Sequence, residues 1–193
     1  MLTTRASNYL KTLERRPSIP VKEVEAIIRD QGFPVFDPWL DFHERYAGYV
    51  DIIYLDWAIW GLVHEDSYWL TPRKADITRE PHRETWYITC ADTHPTYNYQ
   101  LTDKGEFLGH PAKSFDTAVE HLALLWEFCH MGKVRPLTSD ELHALALRSE
   151  FLIYISQFLV EEASGNSIEC YMSDTYLIES VGGFRRGWVK INA

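Results

Sequence analysis

The stretch YNYQLTDKGEFLGHPAKSFDTAVEHLALLWEF, which begins at Tyr97, constrains the fold more than any other part of the sequence. Alternating aromatic residues lead into Asp103 and Gly105, and this pattern predicts a hairpin with glycine at a positive φ. Ser114 then precedes apolar residues at helical spacing, which predicts a helix capped by Ser114. A strand, a turn, a strand and a helix in this order favour an α+β fold.

The residues before Tyr97 extend this pattern. Pro20 and Gly32 suit the start and end of one helix, and Pro38 and Gly48 suit those of the next. Strands of the middle region, from Tyr49 to Gly109, are expected to form an antiparallel-dominated mixed sheet with helices packed on one face. The predicted helices are NYLKTLERRPS, IPVKEVEAIIRDQG and DPWLDFHERYAGY, and the predicted strands are YVDIIYLDW, SYWLTP, TWYITCAD and YNYQL.

The C-terminal third predicts a long helix followed by a hairpin. Thr138 and Glu141 have the spacing of a capping box, and a leucine-rich stripe then predicts a helix of about 25 residues. SIECYM, TYLIESV and FRRGWVKI read as strands, with the last two joined through Gly182 and Gly183. We therefore expect a single domain over residues 1–193 that ends in a long helix and a hairpin extension.

Motifs that carry chemistry are missing from the sequence. It has no Gly-x-Ser-x-Gly, no glycine-rich phosphate loop and no Cys-x-x-Cys pair. Glu127 and His130 have a spacing found in di-iron helix bundles, but the intervening strands argue against a bundle. Cys90 and His94 would lie roughly 13 Å apart along a strand. We therefore predict no catalytic residues, no cofactor and no metal site.

Charge is the most informative feature for function. The net charge of −9 argues against binding to nucleic acid or to an anionic membrane, and it suits a basic protein partner. Residues 37–72 hold seven acidic residues against Arg45 alone, and residues 150–184 hold six with no Lys or Arg. If these runs meet on one surface, they form a docking face, although the Tyr and Trp residues of the sheet are the alternative contact. The predicted partner-binding residues are Glu65, Asp66, Glu161, Glu162, Glu169 and Asp174.

The compartment follows from the cysteines and the hydropathy. Three widely spaced cysteines, an odd number, suggest reduced and mostly buried thiols. The first residues have no apolar core of a secretory signal, and no run approaches the roughly 18 apolar residues of a membrane span. The sequence therefore predicts a cytoplasmic protein.

Two long segments resemble the signatures of one protein family. IPVKEVEAIIRDQGFPVFDPWLDFHERYAGYV resembles the N-terminal signature of the SUKH superfamily, and the stretch from Tyr97 resembles its later signature. The resemblance covers roughly Ile19 to Phe128, which leaves residues 137–193 as a C-terminal extension. The chain departs from the family pattern in having only Gly48 where a Gly-Gly pair often follows the second helix.

The resemblance implies an α+β fold and the function of an immunity protein, a toxin inhibitor that binds and neutralises a cognate bacterial toxin in interbacterial competition. It implies no catalytic residues, because the family shares none. Two alternatives stay open: a small hydrolase-like enzyme that uses His94 or His64 with a nearby carboxylate, and a regulatory scaffold for protein interactions. A toxin gene directly upstream would favour the immunity function, and a metabolic operon would favour an enzyme.

Overall fold

The second, third and fourth helices of the protein begin and end close to the turn residues that predict them. The computed structural model of the protein describes residues 2–53, 56–94, 96–130, 132–147, 151, 155–164, 168–181 and 184–191. Pro20 lies at the N-cap of the second helix, and Ser114 Oγ accepts the N–H of Thr117 at 3.2 Å in the first turn of the fourth. The helices among these residues are α1 (Thr4–Thr12), α2 (Val21–Asp30), α3 (Asp37–Tyr46), α4 (Phe115–His130) and α5 (Ser139–Ala146), with a 3₁₀ turn at Glu161–Ala163.

The strands are short, and every described pairing between them is antiparallel. Together with the helices they confirm the predicted α+β class. They are β1 (Val50–Ile53), β2 (Asp56–Trp60), β3 (Ile77–Glu80), β4 (Thr85–Thr89), β5 (Ala91–Thr93), β6 (Gln100–Thr102), β7 (Phe107–Leu108), β8 (Val134–Pro136), β9 (Ile168–Met172), β10 (Tyr176–Val181) and β11 (Phe184–Lys190).

The chain forms two compact units, which we name by their position in the sequence. The central unit is Lys11–His110, and the terminal unit combines Met1–Leu10 with Pro111–Ala193. The N-terminal residues pack with the terminal unit because the buried carboxylate of Glu120, on α4, accepts the N–H and the hydroxyl of Thr3 at 2.6 and 2.7 Å.

The central unit contains two sheets in the region for which the sequence predicts one. Their strand orders are β1-β2-β5 and β3-β4-β6-β7. Cys90 lies between β4 and β5, where its N–H donates to the Tyr99 carbonyl at 2.9 Å and its carbonyl accepts the Gly61 N–H at 3.0 Å. Residues 85–93 are therefore one extended segment that serves both sheets.

The predicted hairpin after β6 is confirmed. Gly105 has a φ of 80°, a left-handed conformation that glycine adopts without strain, and its N–H donates to the Thr102 carbonyl at 2.9 Å. Trp39, fully buried on α3, donates its indole N–H to the same carbonyl at 2.8 Å. This bond fixes the hairpin against the helix, so the core of the central unit includes both.

The terminal unit packs α4 and a four-stranded sheet of order β8-β11-β10-β9 around one apolar cluster. The predicted C-terminal hairpin is present, with Val181 paired to Phe184, while Gly182 and Gly183 lie outside the described residues. The cluster contains Leu124, Phe128, Ala163, Ile168, Cys170 and Leu177.

Several sequence interpretations differ from the structure. The first helix, predicted over residues 8–18, lies at Thr4–Thr12, and YVDIIYLDW, predicted as one strand, holds β1 and the start of β2, which pair antiparallel. SYWLTP, at residues 67–72, forms a loop and no strand, while β3 and β8 have no predicted counterpart. The capping box of Thr138 and Glu141 is present, but α5 has eight residues, far fewer than the predicted 25 or so. It ends at Ala146, and residues 148–150 and 152–154 of the predicted helix lie outside the described part of the chain.

Candidate functional site: an acidic and aromatic loop

All the acidic residues predicted to bind a partner have exposed side chains. Glu65 and Asp66 belong to the central unit, in a loop after β2, and the other four belong to the terminal unit. That the two groups share one docking face stays a prediction. Those of the terminal unit are Glu161 and Glu162 in the 3₁₀ turn, Glu169 on β9 and Asp174 in the turn before β10.

The two acidic runs of the sequence are only partly surface charge. Asp51 is 5% exposed and Glu179 is fully buried, although both contribute to the excess negative charge of their runs. Glu169 accepts the phenolic O–H of Tyr171 at 2.9 Å. Burial and this carboxylate together raise the pKa of Tyr171. A count of charges along the chain therefore overstates the acidity of the surface.

The loop of Glu65 and Asp66 also presents two aromatic side chains. Tyr68 is 83% exposed and Trp69 is 46% exposed. Large aromatic side chains are normally buried, and exposed Tyr and Trp are over-represented at the energetic centres of protein interfaces. We name residues 65–70 the acidic-aromatic loop.

A buried carboxylate fixes the backbone of this loop. Asp92, 1% exposed on β5, accepts the N–H of Tyr68 at 3.0 Å with one oxygen and the N–H of Trp69 at 3.1 Å with the other. Ser67 Oγ accepts the N–H of Leu70 at 2.6 Å. A buried carboxylate needs such donors to offset its desolvation, so the loop and the sheet stabilise each other.

Ring contacts support both exposed aromatic side chains. The Tyr68 ring meets Trp57 edge to face, with centroids 5.8 Å apart, and the Trp69 ring meets His94 in the same manner at 5.1 Å. Such pairs add about 0.5–1.5 kcal/mol beyond the area that they bury. The two side chains are thus held in place while their outer faces stay exposed.

An arginine closes the base of the loop. The Arg73 guanidinium pairs with both Glu65 and Glu23, and the Arg73 N–H donates to the His64 carbonyl at 2.8 Å. The hydrogen bonds that Arg73 donates to Glu65 and Glu23 raise the pKa of Arg73. Glu65 is therefore partly neutralised, and Asp66 is the more available negative charge.

Two histidines near the loop are held neutral by burial. Burial lowers the pKa of His64, against the opposing effects of Asp92 and of the Gly61 carbonyl. Burial also lowers the pKa of His43, which accepts the Leu62 N–H at Nδ1 and therefore donates from Nε2 to the Ile19 carbonyl. His43 is thus a structural histidine that ties the segment before α2 to the end of β2.

The residues of the enzyme alternative occupy different roles. Asp92 lies near His64, but both its oxygens bond backbone N–H groups of the loop. His94 Nδ1 lies 2.8 Å from the Thr96 hydroxyl. Cys90 is fully buried as predicted, and burial raises its pKa well above the ordinary thiol value. Burial likewise raises the pKa of Cys170 to about 12, so neither thiol is a ready nucleophile.

Neither a metal-binding cluster nor a membrane-spanning helix is present in the described part of the chain. Within it, no group of three or more His, Cys, Asp or Glu side chains could hold a metal ion. None of its helices is both long and apolar enough to cross a membrane.

No protein-family model, curated protein or solved structure matches this chain. Sequence reasoning identifies Glu65 and Asp66 but misses Tyr68, Trp69 and Asp92, because SYWLTP has the composition of a strand. One signal could have corrected it: adjacent Tyr and Trp would lie on opposite faces of a strand, so one of them would face away from the core.

Proposed function

We propose that the protein is a non-catalytic immunity protein that binds a cognate toxin and blocks its active site or its access to substrate. The acidic-aromatic loop is the observation that carries this proposal. It offers exposed Tyr68 and Trp69 beside Glu65 and Asp66, on a backbone held by buried Asp92. The resemblance to the SUKH superfamily and the net charge of −9 also support it.

The rigidity of the loop is what makes it suitable for tight binding. Ordering a flexible loop on binding costs free energy, and a loop that is already ordered avoids most of that cost. Tyr and Trp also provide a large contact area with few rotatable bonds. The loop therefore has the composition and the order of an interface centre.

Charge indicates the kind of partner. Complementary charge speeds encounter and disfavours wrong partners, so an acidic surface selects a toxin with a basic surface. Exposed Glu161, Glu162, Glu169 and Asp174 contribute to this long-range attraction wherever the toxin docks. The compartment expected from the sequence is the cytoplasm, which implies a toxin that acts there.

The test is co-purification with the product of the neighbouring gene, followed by binding kinetics of variants. Trp69→Ala should weaken toxin binding by at least about 2 kcal/mol, roughly thirtyfold, mainly through faster dissociation. Leu147→Ala is the matched control, because Leu147 is 73% exposed but lies in the terminal unit. Equal affinities for wild type and the Trp69 and Tyr68 variants would refute the loop as the interface centre.

A charge-reversal variant tests the steering role. The double substitution of Glu161 and Glu162 to Lys should slow association at low salt and reduce its salt dependence, with little change in stability. Reversals at Glu169 and Asp174 should act in the same direction. If every reversal leaves the association rate unchanged at low salt, the acidic residues have no part in recognition.

A further inference from the structure

A cavity opens beside the acidic-aromatic loop, within the central unit. It has a volume of about 250 Å³ and lies between the segment before α2, the end of α3 and the end of β2. Its inner walls are apolar and well buried: Ile19, Ala47, Ile59, Trp60 and Val63. Its rim is polar, with Ser18, Glu65 and Asp66 exposed.

The shape of the cavity depends on a close approach of two chain segments. The Arg16 N–H donates to the Gly48 carbonyl at 2.8 Å, and the Gly48 N–H donates to the Trp60 carbonyl at 2.9 Å. Gly48 has a φ of 87°, and a Cβ there would lie 2.1 Å from the Arg16 carbonyl oxygen. The back of the cavity is therefore built from fixed backbone, so the space is preformed.

The rim carries an excess of negative charge. Arg16 pairs with Glu14 at 2.8 Å, and Arg73 pairs with Glu65 and Glu23, so both arginines are offset by carboxylates. Neither of these two arginines pairs with Asp66. Three arginines and four carboxylates lie at or beside the rim, since Arg15 also donates to the carbonyl of the wall residue Ala47: Arg15, Arg16, Arg73, Glu14, Glu23, Glu65 and Asp66.

His64 lines the same cavity and adds no positive charge at neutral pH. Burial lowers its pKa, with opposing effects from Asp92 and the Gly61 carbonyl. Its Nε2 lies 3.2 Å from the Gly61 carbonyl oxygen, which can only accept, so Nε2 carries the proton and Nδ1 is an acceptor. A cation that enters the cavity therefore meets no repulsion from this ring.

We infer that the cavity receives an arginine or lysine side chain of the toxin, an inference that rests on the proposed function. Both side chains combine an apolar stem with a cationic head, and the cavity combines apolar walls with an acidic rim. The stem packs against Ile19, Ala47 and Val63, and the head pairs with Asp66 and Glu65. An anionic group would meet more carboxylates than arginines at the same rim, so charge favours the cationic occupant.

The cavity can be tested without the toxin. N-acetyl-arginine amide and N-acetyl-lysine amide should cause saturable NMR shifts in the backbone N–H groups of Gly48, Gly61 and Asp66. N-acetyl-citrulline amide, a neutral analogue of nearly the same shape as the arginine amide, should bind more weakly by up to about fivefold, because an exposed ion pair is lost. Shifts of equal size with the citrulline and arginine amides would overturn the proposal, and so would the absence of saturable shifts at these groups.

Two variants locate the binding. Ser18→Phe places a ring at the exposed rim and should abolish the shifts by blocking the entrance. Asp66→Asn should weaken binding of the arginine amide about fivefold, whereas Asp174→Asn, an exposed carboxylate of the terminal unit, should not change it. Equal effects of Asp66→Asn and Asp174→Asn would refute a local site.

A negative result with the amides is distinguishable from failure of the proposed function. If the toxin binds and Trp69→Ala weakens that binding, while the amides do not bind, the loop is an interface centre and the cavity is not a subsite. If the amides bind but the product of the neighbouring gene does not co-purify with the protein, the cavity recognises cations and the proposed immunity function is wrong.

Discussion

Two buried carboxylates, Asp92 in the central unit and Glu179 in the terminal unit, have different roles. Asp92, in the central unit, accepts two backbone N–H groups of an exposed loop. Glu179, in the terminal unit, accepts side-chain donors instead: His121 Nε2 on α4 at 2.6 Å and Arg186 on the facing strand β11. The first carboxylate orders a surface, and the second joins a helix to a sheet inside the fold.

This difference shows how the environment sets the role of a buried charge. Burial would raise the pKa of Glu179, but the hydrogen bond and charge of His121, together with Arg186, outweigh it and hold the pKa below its ordinary value. The partners of Asp92 are neutral amides, and their positions define which residues face outward. A substitution at Glu179 should therefore affect the fold, whereas one at Asp92 should affect the loop most.

Glu179→Ala should lower stability more than any substitution at Asp92. It removes the buried carboxylate that accepts from both His121 Nε2 and Arg186, and removal of one member of a buried charged pair typically costs about 3–5 kcal/mol. Urea denaturation should show a lower free energy of unfolding by that amount. Glu169→Ala, an exposed carboxylate on the adjacent strand, is the control and should change stability by no more than about 0.5 kcal/mol. A loss below about 1 kcal/mol in Glu179→Ala would contradict this role.

Asp92→Asn should have an intermediate effect on stability and a strong local one. The amide can accept one loop N–H, but its NH₂ group faces the other, so we expect a cost of about 1–3 kcal/mol. Hydrogen exchange of the Tyr68 and Trp69 amides should accelerate, and toxin binding should weaken although Asp92 is 1% exposed. The exposed substitution Asp66→Asn is the comparison and should leave those exchange rates unchanged. Unaltered exchange in Asp92→Asn would mean that the loop is ordered by its ring contacts alone.

The smallest effect should be a change in how steeply the stability of Glu179→Gln falls with decreasing pH. A carboxylate with a lowered pKa in the folded state contributes stability above its ordinary pKa near 4.5, and that stability is lost as the pH falls toward the folded value. Urea midpoints measured from pH 7 to pH 3 should therefore fall less steeply in Glu179→Gln than in wild type. Some slope should persist, because hydrogen bonds from Arg135 and Thr138 lower the pKa of Glu141 to about 2. Identical slopes would exclude Glu179 as a contributor.

Local rules predicted the parts of the fold that local interactions stabilise. The hairpin at Gly105, the cap at Ser114 and the capping box at Thr138 depend on residues a few positions apart, and all three are present. The short edge strands β3 and β8 depend on pairing with distant partners, so their own residues carry little signal. Pairing between distant segments also decides that the middle strands form two sheets.

The candidate site could also be predicted only where local sequence decides the structure. Exposure of Glu65 and Asp66 follows from their charge and was predicted. The positions of Tyr68 and Trp69 depend on Asp92, which lies more than twenty residues further along the chain, and the hydrogen bonds that join them have no local pattern. The sequence therefore indicates that a surface is acidic but not which of its residues are ordered for binding.

The single residue between β4 and β5 has a kinetic consequence. Segment 85–93 pairs with β6, which follows closely, and with β2, which lies far back along the chain, and Cys90 uses both its backbone groups in these contacts. Closure of the longer loop costs more entropy, so we expect the β6 side to form first during refolding. Before β2 pairs with it, the strand Ala91–Thr93 has unpaired backbone groups with which another chain can pair. Slow docking of β2 would then appear as concentration-dependent aggregation during refolding, with the equilibrium stability unchanged.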